Sequence, residues 1–148
     1  MIRIENLSRK FEVGNQIVRA LDHIDLEITK GEYLSIMGVS GSGKSTLLNI
    51  LGLLDTPTKG DYILSGINTS EMNDDEMAHI RSTKIGFVFQ SFHLIPRLTA
   101  AENIEMPMVL AGIKPKDRQE KVEIALSHVS LNDRSDHKPE QLSGGQRQ

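Results

Sequence analysis

Residues 38–45 read GVSGSGKS and run directly into TLLNILGLLD at 46–55. This stretch sets Gly38, Gly43, Lys44 and Ser45 in the G-x-x-x-x-G-K-[ST] spacing of a phosphate-binding loop. A loop that curls around a polyphosphate must turn its N–H groups inward, and Gly38, Gly41 and Gly43 supply the backbone freedom for that. Lys44 brings a compact positive charge to the β- and γ-phosphates. The hydroxyl of Ser45 is placed to ligate Mg²⁺ at the start of a helix whose N-terminus favours anions.

The flanking residues fit that reading. The run YLSIM at 33–37 is mostly apolar, as a strand buried in a parallel sheet would be. From Lys44 onward, Leu47, Leu48, Leu51 and Leu54 recur at helical spacing, and Asp55, Thr56 and Pro57 close the helix. Strand, loop and helix follow in the order the motif requires.

Further out, residues 2–7 and 24–28 alternate apolar and polar and predict strands with one buried face. Between them lies Phe11, whose ring either stacks on a base, worth about 1–3 kcal/mol, or is an ordinary packing residue. Residues 57–60 predict a turn, 62–64 a short strand, and Gly66 with Asn68 a second turn, together an antiparallel hairpin region. In SEMNDDEMAHIRS at 70–82, Asp74, Asp75 and Glu76 precede Met77 and Ile80, the pattern of a short helix with acids in its first turn.

The second half carries two further polar features. IGFVFQ at 85–90 predicts a buried strand that ends on Gln90, a side chain placed to reach a ligand. In the loop beyond it, Phe92, Leu94, Ile95 and Pro96 either meet a protein partner or fold inward. Thr99 and Glu102 make a capping box, Pro107 is expected to end or kink that helix, and a fresh helix starts near Lys116. Its apolar stripe is Val122, Leu126 and Val129, with Arg118, Glu120, Lys121 and Glu123 outside. Finally LSGGQ at 142–146 pairs Ser143 with Gln146 as a capping box. Two glycines beside free helix N–H groups there make either a plain cap or a second anion site.

Seventeen Lys and Arg against twenty Asp and Glu leave a formal net charge of −3, so no general electrostatic pull toward nucleic acid exists. There is no cysteine, which excludes disulfides and thiolate metal sites. No apolar run approaches the roughly 20 residues of a membrane span, so membrane association would run through a partner or the surface.

Taken together, GVSGSGKS, Gln90 and LSGGQ resemble the ATP-binding cassette (ABC) ATPases in order and approximate spacing. The wider text, SIMGVSGSGKSTLLNILGLLD, KIGFVFQSFHLIPRLTAAENIEMP and HKPEQLSGGQ, is similar to the branch that drives macrolide export and lipoprotein release. The resemblance covers essentially the whole chain. It implies an α/β fold of the P-loop NTPase type, with a RecA-like core, an antiparallel β part and a helical subdomain, divided here as 1–90 and 91–148. It implies ATP and Mg²⁺ as cofactors, Phe11 as the adenine-stacking residue, and Ser40, Gly41, Ser42, Gly43, Lys44, Ser45 and Thr46 as the phosphate cradle. Gln90 becomes the Q-loop residue, at the metal and the attacking water, and Ser45 and Gln90 the metal contacts. Ser143, Gly144, Gly145 and Gln146 become the signature that meets the γ-phosphate of an opposite subunit in a head-to-tail homodimer. The implied partners are transmembrane permease subunits, with residues 92–96 facing them, and the implied place is the cytoplasmic face of the plasma (inner) membrane.

The sequence departs from the family pattern at its end, Gln148, two residues after the signature. The family's Asp for the Mg²⁺ shell, its catalytic Glu and its switch histidine lie further on. The resemblance therefore implies a truncated domain that binds nucleotide weakly and does not sustain turnover alone. LGLLD at 51–55 is no substitute, because it ends the loop helix about 15 Å from Ser45 and lacks the following Glu. Small-molecule kinases and GTPases also use phosphate loops, but the guanine-reading N-K-x-D is absent and neither explains LSGGQ. A soluble ABC protein of DNA repair or translation fits the motifs but not the acidic balance or the exporter-like text.

Overall fold

Gly14 and Asn15 form a two-residue turn that pairs Val13 with Gln16, and the hairpin it closes is the largest feature of the fold. The computed structural model describes residues 1–148. Two strands, β1 (Ile2–Val13) and β2 (Gln16–Ile28), run antiparallel through this turn. They are much longer than the two short alternating segments predict, because the pairing carries on through residues whose side chains face solvent.

A second hairpin, β3 (Lys59–Leu64) and β4 (Ile67–Asn68), adds to the free edge of β1, giving one antiparallel sheet in the order β2-β1-β3-β4. The expected hairpin is thus present, although Gly60, assigned to the turn, belongs to β3. Register shifts in β1 between Ile4 and Leu7 do structural work. Simple alternation would turn Leu7 away from the face that holds Ile4. The irregularity at Asn6, with φ of 51°, brings both onto the same face, where they are fully buried.

Against this face packs α1 (Lys44–Leu51), and the core comprises Ile4, Leu7, Leu21, Ile50, Leu53, Tyr62, Leu64 and Met77. The loop helix ends earlier than the leucine spacing predicts. Leu53 donates to Ile50 O at 3.0 Å and Leu54 to Asn49 O at 2.8 Å, the paired bonds of a Schellman stop, with Leu53 in the left-handed conformation at φ of 54°. Glycine, the usual occupant of that position, stands one residue earlier. A Cβ on Gly52 would lie 2.7 Å from the Phe87 ring, so close packing claims the glycine instead. Tyr62 locks the same corner by donating its hydroxyl to Leu51 O at 2.8 Å.

Burial pushes the Tyr62 phenol up to about 12 from its ordinary 10.0. The folded state therefore favours the protonated phenol. That stability is fully present below pH 10 and is lost as pH rises through about 12. Wild-type stability, measured by urea unfolding, should fall between these limits, and Tyr62→Phe should flatten the fall at the cost of the bond to Leu51.

The first compact unit, Met1–Phe87, closes with α2 (Asp74–Lys84). Asn73 caps this helix reciprocally with Glu76, and its acidic first turn is as expected. The second unit, Val88–Gln148, is helical: α3 (Ala100–Leu110), α4 (Pro115–His128), two short 3₁₀ turns at Asn132–Arg134 and Pro139–Gln141, and α5 (Gly144–Arg147). Thr99 and Glu102 form the predicted capping box.

Pro107 does not end α3, which carries it inside the helix. The helix runs on to a Schellman stop at Gly112, where Gly112 donates to Val109 O and Ile113 to Met108 O, each at 3.0 Å. On α4, Val122 and Leu126 are buried as predicted, but Val129 is exposed beyond the helix end. Arg118, expected outside, is half-buried and bridges the two helices, donating to Glu105 at 2.7 Å and to Ile113 O at 2.7 Å.

Two strand predictions fail. Residues 33–37 and 85–90 form no strand, and the expected parallel sheet is not built; Tyr33, Met37 and Val88 are largely exposed. A strand apolar on both faces is stable only with ladder partners at its edges and layers above and below. No strand of the sheet pairs with either segment, and the backbone bonds of residues 85–90 go elsewhere: Ile85 donates to Arg81 O at 3.2 Å and Phe89 O accepts from the Gln148 side chain at 3.1 Å.

Candidate functional site

In the first unit the phosphate loop sits between the end of the unpaired segment and the first turn of α1. Gly43 is the N-cap of α1, left-handed at φ of 88°, and it makes no side-chain cap. Both its conformation and its surroundings demand glycine, since a Cβ there would lie 2.4 Å from Ala20 O and 3.0 Å from Leu21 Cδ2. The loop is thus pressed against β2 with no room for a side chain. Gly41, with φ of 80°, has open space around it, so its need is conformational alone.

This approach creates a cleft of about 570 Å³ lined by Ser40, Gly41, Ser42, Gly43, Lys44, Ser45 and Thr46, with Val18, Arg19 and Ala20 of β2 as its other wall. The helices α2, α3 and α5 all start with reciprocal side-chain caps. The N-terminus of α1, like that of α4, has no side-chain cap, and it opens on the cleft. Uncapped N–H groups at a helix start, inside a concave glycine loop, are suited to an anion with several oxygens.

Lys44 folds back across the loop, donating through Nζ to Gly38 O at 2.8 Å and Val39 O at 2.7 Å. Its charge is therefore held over the mouth of the loop by two carbonyls, which arriving phosphate oxygens would outbid through charge-assisted bonds. A Cβ on Gly38 would meet Ser42 Oγ at 2.7 Å, so a side chain there would displace the Ser42 hydroxyl.

Phe11 lies on β1, paired with Val18 across the hairpin, and not in an irregular stretch. The Arg9 guanidinium stacks over its ring at 4.5 Å from the centroid, while Arg9 also grips Asp55 through two bonds of 2.9 and 2.7 Å. Phe11 itself does not line the cleft, whereas its partner Val18 does. Sequence reading missed Val18, Arg19 and Ala20. The Gly14–Asn15 turn was the signal for them, since a hairpin closed there sets Val18 opposite Phe11 and leads the strand past the loop.

In the second unit Gln90 is exposed, in a turn and not at a strand's end. Phe92 and His93 follow with φ of 31° and 52°, and the Phe89 and His93 rings meet edge to face at 4.5 Å. The signature residues start α5: Ser143 Oγ accepts from Gln146 N at 3.3 Å and Gln146 Oε1 from Ser143 N at 2.9 Å. Leu142 is buried, and Ser143, Gly144, Gly145 and Gln146 are exposed. A Cβ on Gly144 or Gly145 would meet nothing.

A phosphate loop pressed on an antiparallel hairpin, with a separate helical unit that ends in a capped glycine pair, defines a nucleotide-binding cassette. Comparison with known proteins gives the family: the ABC transporter family profile matches residues 21–148, and the chain belongs to that family. It is 51% identical over all 148 residues to the uncharacterized ABC transporter ATP-binding protein YknY of Bacillus subtilis (strain 168), spanning 64% of that protein. Against the macrolide export ATP-binding/permease protein MacB of Brucella abortus (strain 2308) it is 50% identical, again over its whole length, and spans 23% of that protein. Among solved structures it superposes on the ATP-binding cassette MJ0796, a dimer in a post-hydrolysis state bound to ADP and Pi, with a TM-score of 0.85 and 44% identity. That match covers 99% of this chain and 65% of the other. The α/β fold class expected from the motifs is thus the ABC ATPase cassette.

Proposed function

We propose that this chain is the nucleotide-binding part of an ABC transporter ATPase of the export type, holding ATP with Mg²⁺ at the phosphate loop. The observation that carries the reading is the cleft formed by Ser40–Thr46 against β2, with its bare helix N-terminus and Lys44 at its mouth. The N–H groups of the loop and of the first turn of α1 bind the phosphates, Lys44 neutralises the β- and γ-phosphates, and Ser45 supplies a hydroxyl to the metal. Mg²⁺, when bound, neutralises charge between phosphate oxygens. Gln90 is the second metal contact and orients the attacking water in the whole protein. Phe11, one face of which Arg9 covers, offers its other face to the base.

The signature acts in trans in this reading. Gly144 and Gly145 open a helix where alanine would serve at least as well, and neither the backbone nor the packing of this chain uses their smallness. A surface that must admit the phosphates of a second subunit does use it. Support comes also from the dimer formed by the cassette MJ0796. Partner permease subunits, suggested by the MacB relative, place the ATPase at the cytoplasmic membrane face; no helix here is long and apolar enough to cross a membrane. Division of the chain at 90, with a nucleotide-binding core before and a helical subdomain after, belongs to the same proposal.

The test is sedimentation with and without Mg-ATP for the wild type and Gly145→Ala. Nucleotide should promote a dimer in the wild type and not in the variant, while the variant's thermal stability stays equal or rises by up to about 1 kcal/mol. Equal dimerisation of both would remove the in-trans role.

A further inference from the structure

We propose that Arg147 is a positioning residue that clamps the segment behind Gln90 onto the signature turn, so that the two are set together within the helical unit. The proposal rests on the functional reading only for its consequence, since the clamp itself is a matter of geometry. Three observations converge on it.

The first is stacking: the Arg147 guanidinium lies over the Phe92 ring, 5.1 Å from its centroid. The second is that Arg147 Nε is buried without a hydrogen-bond acceptor. A guanidinium in search of carboxylate or carbonyl partners would leave such a site, so the aromatic face is what holds it. The third is backbone strain. Phe92 and His93 both adopt positive φ, 31° and 52°; histidine enters this region more readily than most residues, so the strain falls on Phe92, whose bulky side chain takes it only when surroundings impose it. The backbone bond from His93 N to Ser91 O closes this turn, and Arg147 on Phe92, the Phe89–His93 ring contact, and the Gln148 side chain donating to Phe89 O at 3.1 Å hold it from outside.

Arg147 is the residue immediately after the signature glutamine, and Phe92 is two residues after Gln90. A displacement at either end therefore moves the other through the stacked pair, with the Gln148 bond to Phe89 O beside it. The polar groups near Arg147 do not compete for this role: Ser143 and Gln146 are spent on their own capping box.

The experiment places a reporter in the clamp. In the 148-residue chain carrying Phe92→Trp, the indole emission should shift when Arg147→Ala is added, and Arg147→Lys should restore most of the shift because a cation remains over the ring. Arg134→Ala, which removes an arginine paired with His137 instead, should leave the emission alone. By hydrogen exchange, Arg147→Ala should speed residues 89–94 about three- to tenfold, as the loss of one cation–π contact implies. Phe92→Leu, which keeps apolar bulk, should likewise speed residues 143–148, and Phe92→Tyr should not. Unchanged emission and exchange in Arg147→Ala would overturn the clamp. So would acceleration spread evenly over the helical unit, or a loss in Phe92→Tyr equal to that in Phe92→Leu. None of these readouts uses nucleotide, so their failure is distinct from failure of the proposed function.

Discussion

Lys44→Ala is expected to weaken Mg-ATP binding on the order of a hundredfold, while leaving the fold and its unfolding midpoint nearly unchanged. The size follows from removing a charge-assisted contact to phosphate groups that carry several negative charges in a partly enclosed loop. The selectivity follows from what Lys44 touches. Its ammonium bonds only to Gly38 O and Val39 O, with Ser42 Oγ further off at 3.4 Å, all within the loop itself. No core residue depends on it. Lys44→Arg should not rescue binding, because a planar fork cannot replace a point charge threaded between two loop carbonyls. Titration with a fluorescent ATP analogue, alongside urea unfolding, separates loss of binding from loss of fold.

Gly60→Ala is expected to destabilise the first unit by about 3 kcal/mol. Gly60 has φ of 87°, and a Cβ there would lie 2.4 Å from Asn6 O and 2.5 Å from Glu5 O. Those carbonyls belong to the irregularity of β1 that turns Ile4 and Leu7 onto one face, and a backbone cannot yield as a side chain can. Gly66→Ala is the control. Its φ of 85° is equally unfavourable, but a Cβ meets nothing within 4 Å, so only the conformational cost of about 1 kcal/mol remains. Urea midpoints of the two variants measure the difference. Equal midpoints would show that β1 relaxes around the added methyl.

The contrast between these glycines shows what a sequence discloses. Gly43 and Gly60 are both glycines at which a Cβ would strike backbone, yet only Gly43 was legible, because its neighbours spell a phosphate loop. Gly60 is needed by residues more than fifty positions away, which no local pattern reveals. Two helix starts were legible for the same local reason, since Thr99–Glu102 and Ser143–Gln146 close within four residues; α2 was legible from its acidic first turn, although its Asn73–Glu76 box was not read. The stop of α1 was not, since Leu53 holds the left-handed position while Gly52 makes room for Phe87.

Strands were the least legible elements. Residues 33–37 and 85–90 have strand composition, but composition cannot supply a ladder partner, and none pairs with them here. The second wall of the cleft was hidden for a related reason. Val18, Arg19 and Ala20 carry no motif, and they matter only because the hairpin brings β2 against Gly43. Likewise Arg118, read as a solvated charge, turned out to tie α4 to Glu105 on α3.

The central claim is that nucleotide phosphates enter the loop at Ser40–Thr46 against β2. Backbone amide shifts in a ¹H–¹⁵N correlation spectrum, recorded as Mg-ATP is added, test it most directly. The account predicts the largest changes at residues 18–20 and 38–46, with the amides of Gly41 and Gly43 to Thr46 moving downfield as they take up phosphate oxygens. Shifts that leave these residues in place and gather elsewhere in the chain would contradict it.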